Sequence, residues 1–128
     1  MKADISKTHQ AVVDASIIAA QLFPNEKIAK PSPDITQPIA PELLKFEVTN
    51  AIKTGVARKR LSFSKSQKLL DKFINLPIKY YPTNFNQTLK LAIKYNLSVY
   101  DASYLSLSHH LKIPLLTLDK KLSRLISK

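Results

Sequence analysis

The chain has 128 residues, 45% of them hydrophobic, which suffices for one compact domain and excludes a second full one. Its 20 Lys and Arg against nine Asp and Glu give a net charge of +11, which attracts phosphate polymers or anionic surfaces and repels cationic partners. With no cysteine, disulfide frameworks, zinc fingers and cysteine nucleophiles are excluded.

Apolar runs such as Ala15 to Phe23 are interrupted by Ser16 and Gln21 and fall short of the ~20 residues needed to cross a bilayer. Met1 to Gln10 is polar and lacks the apolar core of a signal peptide. A soluble cytoplasmic protein without membrane contact is expected, with residues 1–10 as an N-terminal extension and 11–128 as a single domain.

Ala11 to Asp14 is a short apolar run suited to a buried strand, and Ser16 to Phe23 gives a helix stopped by Pro24. Lys30 to Pro41 holds four of the eight prolines, leaving room for a short strand at Ile35 to Ala40, which Pro38 weakens by removing a ladder donor. From Pro41 the spacing of Leu44, Val48, Ala51, Ile52, Gly55 and Val56 predicts a helix. Ser64 to Ile74 is a second amphipathic segment, with Ser64 and Gln67 at capping-box spacing.

Ile78 to Tyr81 reads as a strand closed by Pro82, and Phe85 to Leu97 as a helix with Lys90 and Lys94 on its solvated face. Ser98 to Leu111 is predicted as a helix, and Pro114 to Asp119 as a strand before a lysine-rich helix. This alternation predicts an α/β domain with a mainly parallel sheet. A single glycine excludes P-loop and dinucleotide fingerprints.

The few acids fall at informative places. Asp14 and Asp119 each end a predicted strand, and ligands gather at the carboxyl ends of strands in open parallel sheets; each acid would equally serve as a helix cap. Glu47 sits in the stripe that should face the core, where a carboxylate needs a partner or a metal. Asp101 lies on the first turn of its helix, where with Ser98 it has capping-box spacing. Together the four would repel one another unless a cation neutralised them, and an all-oxygen set points to Mg²⁺ or Mn²⁺.

Val12-Val13-Asp14-Ala15-Ser16, Ala40-Pro41-Glu42-Leu43-Leu44 leading to Glu47-Val48-Thr49-Asn50-Ala51, Tyr100-Asp101-Ala102, and Leu116-Thr117-Leu118-Asp119-Lys120-Lys121-Leu122 resemble the successive motifs of PIN domains. The closest resemblance is to the VapC-like toxins of type II toxin-antitoxin pairs, from residue 11 to about residue 125. It implies a three-layer α/β/α fold with a central, mainly parallel sheet of four to five strands. It also implies a metal-dependent endoribonuclease with Asp14, Glu47, Asp101 and Asp119 as its catalytic, metal-binding acids. Ser16, Asn50 and Thr117 match the polar positions that accompany those acids. A homodimer and an antitoxin partner follow from the same resemblance. Because Lys128 closely follows the last helix, a final strand after it is not expected.

Arg58, Lys59, Arg60 and Lys65 open the densest basic cluster and are the expected RNA-binding residues, although a solvated helix face explains them as well. Tyr80, Tyr81, Tyr95 and Tyr100 are candidates for stacking on unpaired bases or for core packing. His109 and His110 diverge by about 100° on a helix and receive no function. Two other readings remain open from sequence: a non-catalytic basic nucleic-acid-binding module, and a PIN nuclease of RNA processing outside a toxin-antitoxin pair.

Overall fold

The computed structural model describes residues 9–23, 35 and 37–126, in which strands and helices alternate as their periodicity predicts. The order is β1 (Gln10–Val13), α1 (Ala15–Leu22), β2 (Gln37–Pro41), α2 (Leu43–Ala57), α3 (Phe63–Ile74), β3 (Lys79–Tyr81), α4 (Phe85–Tyr95), α5 (Val99–Leu111), β4 (Leu115–Leu116) and α6 (Lys120–Ile126). Most of the predicted N-terminal extension lies outside the described residues, and β1 already begins at Gln10.

All strand pairs are parallel, and the sheet order is β3-β2-β1-β4. The chain steps from β1 to β2 to β3 in one direction, then returns past β1 to β4. With right-handed crossovers, the helices of the first two connections cover one face and α4 and α5 the other. The reversal falls between β1 and β4, so the carboxyl ends of those two strands flank the crevice where ligands of such sheets gather. Val12, Val13, Ile39, Leu44, Val48 and Tyr104 are almost wholly buried between the layers.

Pro38 does not prevent β2, although that strand lies inside the sheet and not at its edge. Pairing with β3 starts only at Ile39 opposite Lys79. At the proline itself the Gln37 side-chain Nε2 donates both to Pro38 O at 2.9 Å and to Pro77 O at 3.0 Å. A side chain thus replaces the ladder bond that proline removes.

Three predicted boundaries move. The cap of α3 is Ser62, whose hydroxyl accepts from the Lys65 amide at 3.1 Å, so Ser64 and Gln67 lie inside the helix and form no capping box. Extended backbone at Ser62, with φ −75° and ψ 161°, is what an N-cap requires. The helix predicted to reach Leu97 ends at Tyr95, because Asn96 adopts the left-handed conformation with φ 53°. The strand predicted over Pro114 to Asp119 is ordered as a ladder only at Leu115–Leu116, and the reason lies in the site itself.

Helix α2 ends in a left-handed turn centred on Lys59, with φ 59°. The Lys59 amide donates to Val56 O at 3.0 Å and the Arg60 amide to Gly55 O at 2.9 Å, a Schellman closure built without its usual glycine. Gly55 lies one turn earlier, where a Cβ would come within 2.7 Å of Leu61 Cδ1, so its bareness lets Leu61 fold back over the helix. The turn projects Arg58, Lys59 and Arg60 into solvent.

Candidate active site

Asp14 is the first residue after β1 and is only 6% exposed. It caps α1: Oδ1 accepts from the amides of Ser16 at 3.0 Å and Ile17 at 3.3 Å, and from the Ser16 hydroxyl at 2.5 Å. Oδ2 accepts from the Thr117 hydroxyl, 103 residues away in sequence. Capping and placement at the ligand edge, alternatives in sequence, are realised by the same carboxylate.

The two hydroxyls are themselves fixed. Ser16 Oγ accepts from the Leu118 amide at 2.9 Å, and Thr117 Oγ1 accepts from the Asp119 amide at 2.9 Å. Backbone donors of residues 118 and 119 therefore turn toward the Asp14 corner instead of extending the ladder, which is why β4 stops at Leu116. Asp119 is exposed and caps α6, accepting the Leu122 amide on Oδ1 at 3.0 Å.

Glu47 lies on α2 between the core-facing Leu44 and Val48 and is half-buried. Its Oε1 accepts a hydrogen bond of 2.5 Å from Tyr104 on α5, and Tyr104 is 1% exposed. This supplies the partner that a carboxylate on that stripe requires. Burial raises the Glu47 carboxyl above its ordinary range, the Tyr104 bond opposes this, and the charges of Asp101 and Asp14 add to the rise. Burial together with the Glu47 contact pushes the Tyr104 phenol upward, so it remains a donor.

Asp101 sits one turn before Tyr104 on α5, with its amide donating to the Ser98 hydroxyl at 3.0 Å. Its carboxyl is raised first by burial, then by Asp119 and Asp14, against opposing contributions from Ser98 and from Lys121. Lys121 is held near by a hydrogen bond from its Nζ to Asn96 O. Asp14 follows β1 and Asp119 follows β4; repulsion from both reaches Asp101, and repulsion from Asp14 and Asp101 reaches Glu47.

No three acidic or imidazole side chains among the described residues converge tightly enough to cage a metal ion by themselves. An all-carboxylate edge nevertheless suits Mg²⁺ or Mn²⁺, because Mg²⁺ is usually held by one or two carboxylates with waters and substrate phosphates completing its shell. The carboxyls raised by burial and by each other are likewise those a cation would relieve.

Asn50 is exposed in a depression with Phe46 and Lys53, and no described hydrogen bond joins it to the acids. The basic residues divide. Arg60 and Lys65 line a groove of about 970 Å³ that also touches Ser16 and Leu118, the partners of the Asp14 corner. Arg58 and Lys59 are exposed at its α2 end but do not line it. Lys68 and Lys72 extend the basic rim along α3. Tyr100 is 61% exposed beside Asp101, whereas Tyr80 lies beneath the Lys45 ammonium, 4.4 Å from its ring centroid. His109 and His110 are exposed on the last turn of α5.

Tyr104 is the site residue that sequence reasoning missed. Its signal was its place three residues after Asp101, hence on the same helical face, with a hydroxyl that needs a partner once buried.

Residues 11–127 match the family described as PIN domain. Ribonuclease VapC3 of Pyrobaculum aerophilum is 30% identical over 119 residues, spanning 88% of this chain and 91% of that protein. VapC ribonuclease Mb0985 of Mycobacterium bovis is 31% identical over 112 residues, spanning 88% of this chain and 87% of that protein. The chain belongs to the PIN domain family, among the VapC ribonucleases. The fold agrees: PAE2754 from Pyrobaculum aerophilum superimposes with a TM-score of 0.72 at 22% identity, covering 91% of this chain and 84% of that one. VapC20 of Mycobacterium tuberculosis, described as a Sarcin-Ricin loop cleaving toxin, gives a TM-score of 0.63 at 11% identity, covering 90% and 94%.

Proposed function

We propose that this protein is a Mg²⁺- or Mn²⁺-dependent endoribonuclease, the toxin of a VapBC-type toxin-antitoxin pair, acting in the cytoplasm on RNA phosphodiester bonds. The observation that carries the reading is the Asp14 corner. A nearly buried carboxylate at the strand switch point is held by two hydroxyls and two amides, and its charge is felt by both Glu47 and Asp101.

Asp14 and Asp101 are the principal metal ligands in this reading, with Glu47 and Asp119 ligating directly or through water. When bound, the ion supplies an activated water and stabilises charge on the phosphorane-like transition state. Ser16 and Thr117 fix the direction of the Asp14 oxygens, and Asn50, three residues after Glu47 on α2, orients a ligand or water. Arg60 and Lys65 draw the RNA backbone along the groove toward Ser16, and Arg58 and Lys59 add positive charge at its α2 end.

The decisive experiment is RNA cleavage in Mg²⁺ by Asp14→Asn, which keeps a good N-cap while removing the charge. Turnover should fall by about 100-fold or more, the equivalent of several kcal/mol of metal stabilisation. Undiminished cleavage sinks the reading.

The proposal includes an antitoxin and a homodimer. Phe85, Leu89 and Ile93 are exposed one above the other on α4, an apolar stripe that supports self-association. Light scattering at micromolar concentration should return twice the 14.4 kDa of the chain, and a monomer mass would remove the dimer from the proposal. A small DNA-binding protein encoded beside this gene, co-purifying with it and blocking cleavage, would identify the antitoxin.

A further inference from the structure

We infer that Tyr104 is the positioning residue of the acidic edge: its buried hydroxyl, anchored in the core, sets where the Glu47 carboxylate stands. The inference rests on the metal-dependent reading above and assigns a role to a residue outside the four acids.

The argument begins with how the two side chains are held. The helix carrying Tyr104 is buried continuously from Ala102 to Ser108, and the ring of Tyr104 is among the largest fully enclosed side chains. Two side-chain torsions locked by packing leave its hydroxyl a fixed point. Glu47 is the opposite case, half-buried with three torsions and the freedom of a long side chain. The only hydrogen bond described for its carboxylate is the 2.5 Å bond from Tyr104, spanning 57 residues between α5 and α2.

The arrangement repeats the logic of the Asp14 corner, where Ser16 and Thr117 hydroxyls fix one carboxylate oxygen each. It also links two acids through one helix. Asp101 and Tyr104 lie three residues apart on α5, so that helix contributes one acid directly and sets the direction of a second. A shift of α5 would move both together.

The competing account is that Tyr104 fills the core and Glu47 merely satisfies its hydroxyl. Tyr104→Phe separates the two, because it keeps the ring and removes only the donor. Mn²⁺ binding is measured by calorimetry on the wild type, Tyr104→Phe, Glu47→Ala and the double variant, with a thermal melt for each. Positioning predicts that Tyr104→Phe weakens Mn²⁺ binding about 10-fold. It further predicts that the same change is silent in the Glu47→Ala background, where no carboxylate remains to be placed. RNA affinity in EDTA should stay at the wild-type value, since the phenol does not touch RNA.

An unchanged Mn²⁺ affinity in a folded Tyr104→Phe protein overturns the inference, as does an equal loss in both backgrounds. If Tyr104→Phe does not fold, Tyr104→Met fills the same space without a hydroxyl and takes its place in the cycle. A folded wild type that binds no Mn²⁺ at millimolar concentration defeats the metal-dependent reading and this inference with it. That failure is distinguishable because it appears before any substitution is made.

Discussion

The acidic edge and the basic shoulder of this protein are built by opposite means. At the edge, Asp14 is nearly buried, both its oxygens are engaged, and the hydroxyls that engage it are themselves pinned by amides of residues 118 and 119. On the shoulder, Arg58, Lys59, Arg60 and Lys65 are exposed. The ion pair of Lys45 with Glu42 lies elsewhere, on the first turns of α2. The abundant bases and the few acids are thus concentrated in different places. Side-chain direction is specified at the edge, whereas the shoulder supplies a field that requires no fixed directions.

The largest expected effect breaks the edge. Thr117→Val is nearly isosteric and removes the donor to Asp14 Oδ2 together with the acceptor of the Asp119 amide. Hydrogen bonds to charged groups contribute about 1.5–3 kcal/mol each, so unfolding by urea should show a loss of about 2 kcal/mol at neutral pH. A shoulder substitution such as Lys65→Gln should stay within about 0.5 kcal/mol in the same assay. Equal losses at both places would erase the contrast.

A second experiment sharpens the shoulder's role. In metal-free buffer, the affinity of Arg60→Gln and Lys65→Gln for single-stranded RNA should fall with salt less steeply than that of the wild type. The log-log slope should become shallower by about 0.7 for each charge removed. Because Arg60 and Lys65 line the groove and Arg58 does not, Arg58→Gln should change the slope less. An unchanged slope in all three would place the RNA on another face.

Much of the edge was legible in the sequence because it is local. Asp14, Asp101 and Asp119 each stand at a helix start, and such positions follow from capping chemistry and apolar periodicity. Glu47 was legible as a conflict, a charge in an apolar stripe, but its resolution was not, since Tyr104 reaches it from 57 residues away. The 103-residue bond from Thr117 was hidden for the same reason, and with it the early end of β4. Local competition defeated the α3 cap, where two serines two residues apart offered the same chemistry and Ser62 was the one with extended backbone. Pro38 argued against an interior strand because the compensating Gln37 bridge depends on where Pro77 lies.

The smallest effect tests whether the acids at the edge burden the metal-free fold. Asp101 titrates above its ordinary value near 3.8, through burial first and then through Asp119 and Asp14. An acid raised on folding binds more protons folded than unfolded within that window, so its contribution to stability falls as pH rises from about 3.8 through the raised value. The charged carboxylate is therefore a burden at neutral pH and no burden when protonated in both states. Asp101→Asn should raise the metal-free Tm at pH 7 by something on the order of a degree or two, kept small by the partial exposure of the side chain. The gain should vanish near pH 3.5. Adding Mn²⁺ should reverse the order at pH 7, because the wild type then gains binding free energy that the variant largely forgoes. A gain that persists unchanged into acid would come from repacking by Asn, and no gain at pH 7 would mean that Lys121 and solvent already balance the edge without a metal.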